Sequence, residues 1–168
     1  MELDRIYNMD CLEGMRKMES GSANLALLDP PYNVGVKTQI NGKTHINAWD
    51  KIENYIPWMM EVLREVSRVL KDNGVLYLWH NDMAQIAELI HEIHAADLFR
   101  LQSFCIWDKG KSYRARSWQD RANNAALRQW FNRCEYCLHF FKVGNNGERN
   151  WKTTGLERIK SDPRCYSR

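Results

Sequence analysis

The sequence has no apolar run approaching the ~20 residues of a membrane span. Its amino terminus, with Glu2 and Asp4 early, lacks the basic-then-apolar pattern of a signal peptide. A cytoplasmic protein without a membrane partner is expected. Regularly spaced cysteine is lacking too. Five cysteines, an odd number at irregular intervals, do not suit a disulfide framework and read as reduced thiols. The one close pair, Cys134-x-x-Cys137, is half a zinc site at most and alternates with apolar residues in an expected strand. Core cysteine is the better reading, and no metal is expected. Acidic residues are scarce toward one end. From Asp108 onward 14 Lys and Arg stand against 6 Asp and Glu, a balance of +8, whereas residues 1–107 hold 10 against 15, a balance of −5. Charge segregated in this way suits a protein with one side facing a polyanion, although basic tails occur on inert surfaces as well. With 168 residues, 44% of them hydrophobic, the chain can bury one core and suits one domain.

What is there is organised around Asp29-Pro30-Pro31-Tyr32, followed directly by Asn33. The run before it, Ala23 to Leu28, is a short apolar segment of the kind that forms a buried strand, so the tetrapeptide falls where a strand ends and a loop begins. In open α/β sheets ligands bind in the crevice at that carboxyl edge. Pro30 and Pro31 have no amide donors and a fixed φ, which sets the directions of the surrounding carbonyls. A carboxylate beside fixed carbonyl acceptors suits an amine donor, and the ring of Tyr32 offers a flat face on which a planar base can stack. A bare turn, capped by Asp29 and stopped by the prolines, is the competing reading.

Asp-Pro-Pro-Tyr-Asn after an apolar strand resembles the catalytic motif of S-adenosylmethionine-dependent DNA amino-methyltransferases, which methylate the exocyclic amine of adenine or cytosine. The leading Asp29 resembles the adenine branch. The phrase from Glu65 through Arg68-Val69-Leu70-Lys71 to Gly74, the strand after it, and Trp107-Asp108-Lys109 resemble further family phrases, so the likeness covers most of residues 4–142. It implies a Rossmann-like methyltransferase fold of the α/β class, partial here, as a three-layer sandwich with a mostly parallel sheet. The implied function is transfer of a methyl group from S-adenosylmethionine to the N6 amine of adenine in DNA, as in restriction-modification systems. Asp29, Pro30, Pro31 and Tyr32 become candidate catalytic residues, and Asp10, Cys11 and Asp29 candidate cofactor contacts. For Asp10, simple capping of a helix is an equal alternative. The implied partner is double-stranded DNA with a flipped base, because the amine is unreachable within the stack.

Taken in order, residues Asp4 to Met9 read as a short strand, and a helix capped by Asp10 runs through Met18 until Ser20-Gly21-Ser22 breaks it. Gly35 to Asn47 reads as a mobile surface loop. From Ile52 to Leu70 large residues recur at helical spacing, and Lys71-Asp72-Asn73-Gly74 closes that helix, with Gly74 suited to a left-handed position. Val75 to Trp79 is a second buried strand ending in His80-Asn81-Asp82, where His80 is a weak candidate base and equally a satisfied loop histidine. Met83 to Ala96 is a helix, and Leu101 to Trp107 a strand. This helix-turn-strand rhythm is the doubly wound pattern.

Lys109 to Arg133 interleaves basic residues with Tyr113, Trp118, Trp130 and Phe131, a mixture suited to phosphates and bases together. Lys111, Arg114 and Arg116 are candidate DNA contacts. Asn132 and Arg133, in the turn before an expected strand through Lys142, match the family's base-holding turn, with an ion pair between Arg133 and Glu135 as the structural alternative. The expected layout is a catalytic domain over 1–142, its basic insert at about 109–133, and a polar tail over 143–168. Family members hold the methionine part of the cofactor with a glycine loop, roughly Asp-Pro-Phe-x-Gly-x-Gly, and no such stretch is present. The chain therefore resembles a catalytic half, the tail being the start of a truncated continuation or the partner a complementing subunit, with homodimerisation through an uncovered edge as a further expectation. The alternatives are a DNA-binding pseudoenzyme without activity, an N4-cytosine enzyme, and methylation of RNA or protein amines.

Overall fold

A computed structural model describes residues 2–33, 37–40, 43–46, 50–108 and 134–142. Its elements are α1 (Cys11–Arg16), β1 (Ala23–Leu28), β2 (Lys37–Ile40), β3 (Lys43–Ile46), α2 (Tyr55–Val69), β4 (Leu70–His80), α3 (Met83–Ala95), β5 (Arg100–Asp108) and β6 (Cys134–Phe141).

Asp10 starts α1 by accepting from the amides of Leu12 at 2.9 Å and Glu13 at 3.0 Å, which satisfies two donors that a helix start leaves open. The other end of α1 is fastened by Arg68 of α2. Its guanidinium donates to the carbonyls of Met15 at 2.6 Å and Met18 at 3.0 Å while also pairing with Glu65. The segment before α1 is not a strand: residues Asp4 to Met9 form a turn and irregular chain, with Asp4 at φ 57°. Ile6 is fully exposed, so the alternation there faces no core.

Helix α2 presents Tyr55, Met59, Met60, Val62, Leu63, Val66 and Val69 to the interior, and α3 presents Ile86, Leu89 and Ile93. They meet Leu76 and Leu78 of β4 and Leu138 and Phe140 of β6 in one core that Leu12 of α1 joins. Each of these aliphatic or aromatic side chains stabilises by about 1.5–3 kcal/mol relative to exposure.

The four-stranded sheet runs β1-β4-β6-β5. β1 pairs parallel to β4, with Leu28 opposite Leu78, whereas β6 is antiparallel to both β4 and β5. Three strands thus share one direction, and the expected mostly parallel sheet is mixed because β6 enters reversed between β4 and β5. Among the described residues the helices supply one layer over the sheet. The opposite face carries half-buried Val75, Tyr77 and Trp79 and exposed Leu25 and Leu27, so two of the three expected layers are in view.

Two local expectations are corrected. Within the expected loop, Lys37–Ile40 and Lys43–Ile46 are strands. β2 and β3 pair antiparallel from Lys37↔Ile46 to Ile40↔Lys43, so only Asn41-Gly42 connects them, a dipeptide suited to two-residue hairpins. Likewise α2 passes directly into β4 at Leu70, without a closing turn. It is Asn73 that takes the left-handed conformation, at φ 62°. Gly74 is needed for space: a Cβ there would stand 2.8 Å from the Lys71 carbonyl oxygen and 3.2 Å from the Leu70 side chain. Lys142 pins this start of β4, its amide donating to the Gly74 carbonyl at 2.9 Å and its Nζ to the Leu70 carbonyl at 2.8 Å.

Candidate active site

Because β1 and β4 run parallel, their carboxyl ends emerge at one edge of the sheet, and Asp29-Pro30-Pro31-Tyr32 leaves β1 beside His80-Asn81-Asp82 leaving β4. Tyr32 is held on every side. Its amide donates to Asp50 Oδ1 at 3.0 Å, and its carbonyl accepts from Gln85 Nε2 at 3.1 Å. Its hydroxyl donates to Asp29 Oδ1 at 2.6 Å, and its ring packs on His80 with centroids 5.1 Å apart. Asn33 turns the chain in a left-handed conformation at φ 56°, and its Oδ1 accepts from the Ile52 amide at 3.1 Å.

The electrostatics fix the protonation of this cluster. Burial, then the hydrogen bond to Asp29, raises the Tyr32 hydroxyl far above the ordinary tyrosine range, so it stays a donor to the carboxylate. A carboxylate accepts about four hydrogen bonds, so Asp29, exposed at the edge, keeps capacity for an incoming amine. His80 is fully buried, and burial lowers its pKa against the opposing pull of Asp82. Its Nδ1 accepts from the Asp82 amide at 3.0 Å, which leaves the hydrogen of the neutral ring on Nε2, 3.0 Å from the Tyr55 hydroxyl. Burial, followed by the charges of Asp50 and Asp82, raises Tyr55 above its usual value. His80 and Tyr55 are thus a neutral, hydrogen-bonded floor beneath Tyr32. A catalytic base is not what His80 is placed to be.

Asp29, Pro30, Pro31 and Tyr32 are brought together with Asn33. Asp10 and Cys11 stand at the start of α1, and among the described residues no hydrogen bond joins them to the tetrapeptide. The Cys11 thiol is raised by partial burial and then by Asp10. Lys111, Arg114, Arg116, Asn132 and Arg133 lie outside the described residues. Asp50, Tyr55 and Gln85 were not singled out by sequence. In sequence Asp50 only precedes a helical pattern, and nothing local ties Gln85 to a residue 53 positions earlier. Among the described residues no three His, Cys, Asp or Glu converge as metal ligands, and no helix is long and apolar enough to cross a membrane.

A carboxylate-proline-aromatic loop thus stands at the carboxyl edge of a Rossmann-like α/β sheet. The profile of the DNA methylase family of N6 and N4 enzymes matches residues 23–166, and the chain belongs to that family. The DNA adenine methyltransferase YhdJ of Escherichia coli (strain K12) is 32% identical over 113 residues, which cover 66% of this chain and 35% of that protein. The type II methyltransferase M1.MboII of Moraxella bovis is 24% identical over 109 residues, 65% of this chain and 38% of that one. The match thus spans little more than a third of these curated relatives. Among solved structures, the Thermus thermophilus protein TTHA0409 complexed with S-adenosyl-L-methionine superposes with TM-score 0.55 at 20% identity, over 92% of this chain and 58% of that one. The PvuII DNA methyltransferase (cytosine-N4-specific) gives 0.60 at 16%, over 82% and 48%. Both likenesses are of fold.

Proposed function

We propose that this chain carries the base-binding and methyl-accepting surface of a DNA methyltransferase acting on the N6 amine of adenine. The observation that carries the reading is the Asp29 carboxylate, exposed beside proline-fixed carbonyls and braced by the Tyr32 hydroxyl at 2.6 Å. An adenine flipped out of the duplex stacks against Tyr32, and its amine donates to Asp29 and to a carbonyl near Pro30. These acceptors orient the nitrogen lone pair and stabilise the positive charge that develops on it, without taking up the proton at the outset. Because the Tyr32 clamp is built before substrate arrives, the orientation costs little reorganisation.

S-adenosylmethionine, when bound, supplies an electrophilic methyl on a sulfonium. A carboxylate beside backbone carbonyls suits a cationic group, and Asp29 would stand near its methyl end. Asp10, whose Oδ1 caps α1, and Cys11 beside it would hold the adenosine portion. The remaining cofactor contacts come from outside the described residues, whether from the same chain or from a complementing subunit.

The adenine assignment is supported by Asp29 at the head of the motif and by the adenine specificity named for the E. coli relative. Nucleoside analysis of duplex treated with the protein and labelled methyl donor tests it. N6-methyladenine is the expected product, and N4-methylcytosine alone would overturn the assignment.

A further inference from the structure

Cys105 of β5 and Cys137 of β6 stand directly opposite each other in the antiparallel ladder. The rung lies past the irregularity between Leu101 and Ser103, in the stretch where pairing is regular through Asp108 and Cys134. Directly opposed residues of such a ladder project from the same face, with Cα atoms about 4.5–5.5 Å apart. A disulfide spans about 4.4–6.8 Å between Cα atoms, so a directly opposed rung lies within bridging range. The face is the one the described helices leave uncovered. Cys137 is the register partner of Trp79, whose ring meets that of Trp107, two positions beyond Cys105, at 5.9 Å.

The two thiols differ in access. Cys105 is exposed, while Cys137 is 7% exposed. Burial, and then the neighbouring Cys105, raises the Cys137 thiol. The pair visible in the sequence is a different one and cannot close: Cys134 and Cys137, three residues apart on one strand, project from opposite faces.

We infer that Cys105 and Cys137 form a reversible dithiol-disulfide pair in which Cys105 is the attacking thiol, Cys137 the resolving one, and a low-molecular-weight disulfide such as oxidised glutathione the oxidant. The Cys105 thiolate attacks one sulfur of the oxidant, forming a mixed disulfide and expelling one glutathione thiolate. Cys137 then gives up its proton and attacks the Cys105 sulfur, expelling the second glutathione. The protein loses two protons and two electrons, which leave in two molecules of reduced glutathione. The bond ties β5 to β6 three residues from the end of one strand and three from the start of the other. With Cys105 exposed, the bridge is reachable by an external thiol and can be reduced again.

The test is peptide mapping of the full chain after exposure to oxidised glutathione and alkylation of the remaining thiols. A linked Cys105–Cys137 peptide that dithiothreitol dissolves is expected. Cys137→Ser should stop at a glutathione adduct on Cys105, and Cys105→Ser should yield no bridge. Cys137→Ala serves as a second variant if the serine disturbs the fold. Recovery of Cys105 and Cys137 as separate alkylated or glutathionylated thiols in the wild-type chain would overturn the inference. So would their bridging to Cys11, Cys134 or Cys165 instead.

Discussion

At the scale of single residues the proposed site depends on groups outside the tetrapeptide. Tyr32 presents its ring because Asp50 and Gln85 take its backbone donor and acceptor, and because a neutral His80 lies beneath it. Asp50→Ala removes the acceptor of a partly buried amide and is expected to cost about 1–3 kcal/mol. Asp50→Asn keeps an acceptor oxygen and should cost less, and urea denaturation of both variants checks the order. His80 makes the site acid-sensitive. Its folded pKa lies below the ordinary histidine value, so on acidification the unfolded chain gains a proton that the folded one resists. The stability is present above about pH 6.5 and lost as pH falls below it. Denaturation midpoints at about pH 7.5 and about pH 5.5 should therefore differ less in His80→Gln than in wild type. An unchanged pH difference would mean that His80 does not resist protonation.

At the scale of elements, what was readable depended on how local the cause was. The apolar run Ala23 to Leu28 forms β1 within those bounds, but not as the buried strand expected: Leu25 and Leu27 are exposed on the face that the described helices leave uncovered. The periodicity of α2 and α3 was equally plain, since each buries one stripe. The β2-β3 hairpin was missed although Asn41-Gly42 is its turn signal, because the flanking Lys37-Thr38-Gln39 and Lys43-Thr44-His45 show no apolar alternation. Asp4 to Met9 misled in the opposite direction, its alternation pointing to solvent. The Asp29–Tyr32 tetrapeptide was legible because its chemistry is contiguous, whereas Asp50 and Gln85 reach it across 18 and 53 positions. The junction of α2 and β4 offers a test. Gly74→Ala places a methyl group against the Lys71 carbonyl and should cost about 1–3 kcal/mol by overpacking. A denaturation midpoint equal to wild type would contradict the close approach.

On the scale of the whole molecule, the sheet gathers at one edge the loop proposed to receive the base, and the sequence places its basic residues between β5 and β6, over 109–133. Replacing Lys111, Arg114 and Arg116 together by alanine is expected to weaken duplex binding and flatten its salt dependence by roughly 0.9 in log-log slope for each phosphate no longer neutralised. A slope equal to wild type would make the run a solvated surface. In the proposed reading two functions separate: the basic run would hold phosphates, and Asp29 would orient the amine. The most direct measurement is therefore a paired one on Asp29→Ala, methyl transfer from labelled donor to adenine-containing duplex alongside duplex affinity. The account predicts that transfer is abolished while affinity stays near wild type. Methyl transfer within about tenfold of wild type, a barrier change of only about 1.4 kcal/mol, would remove Asp29 from its role.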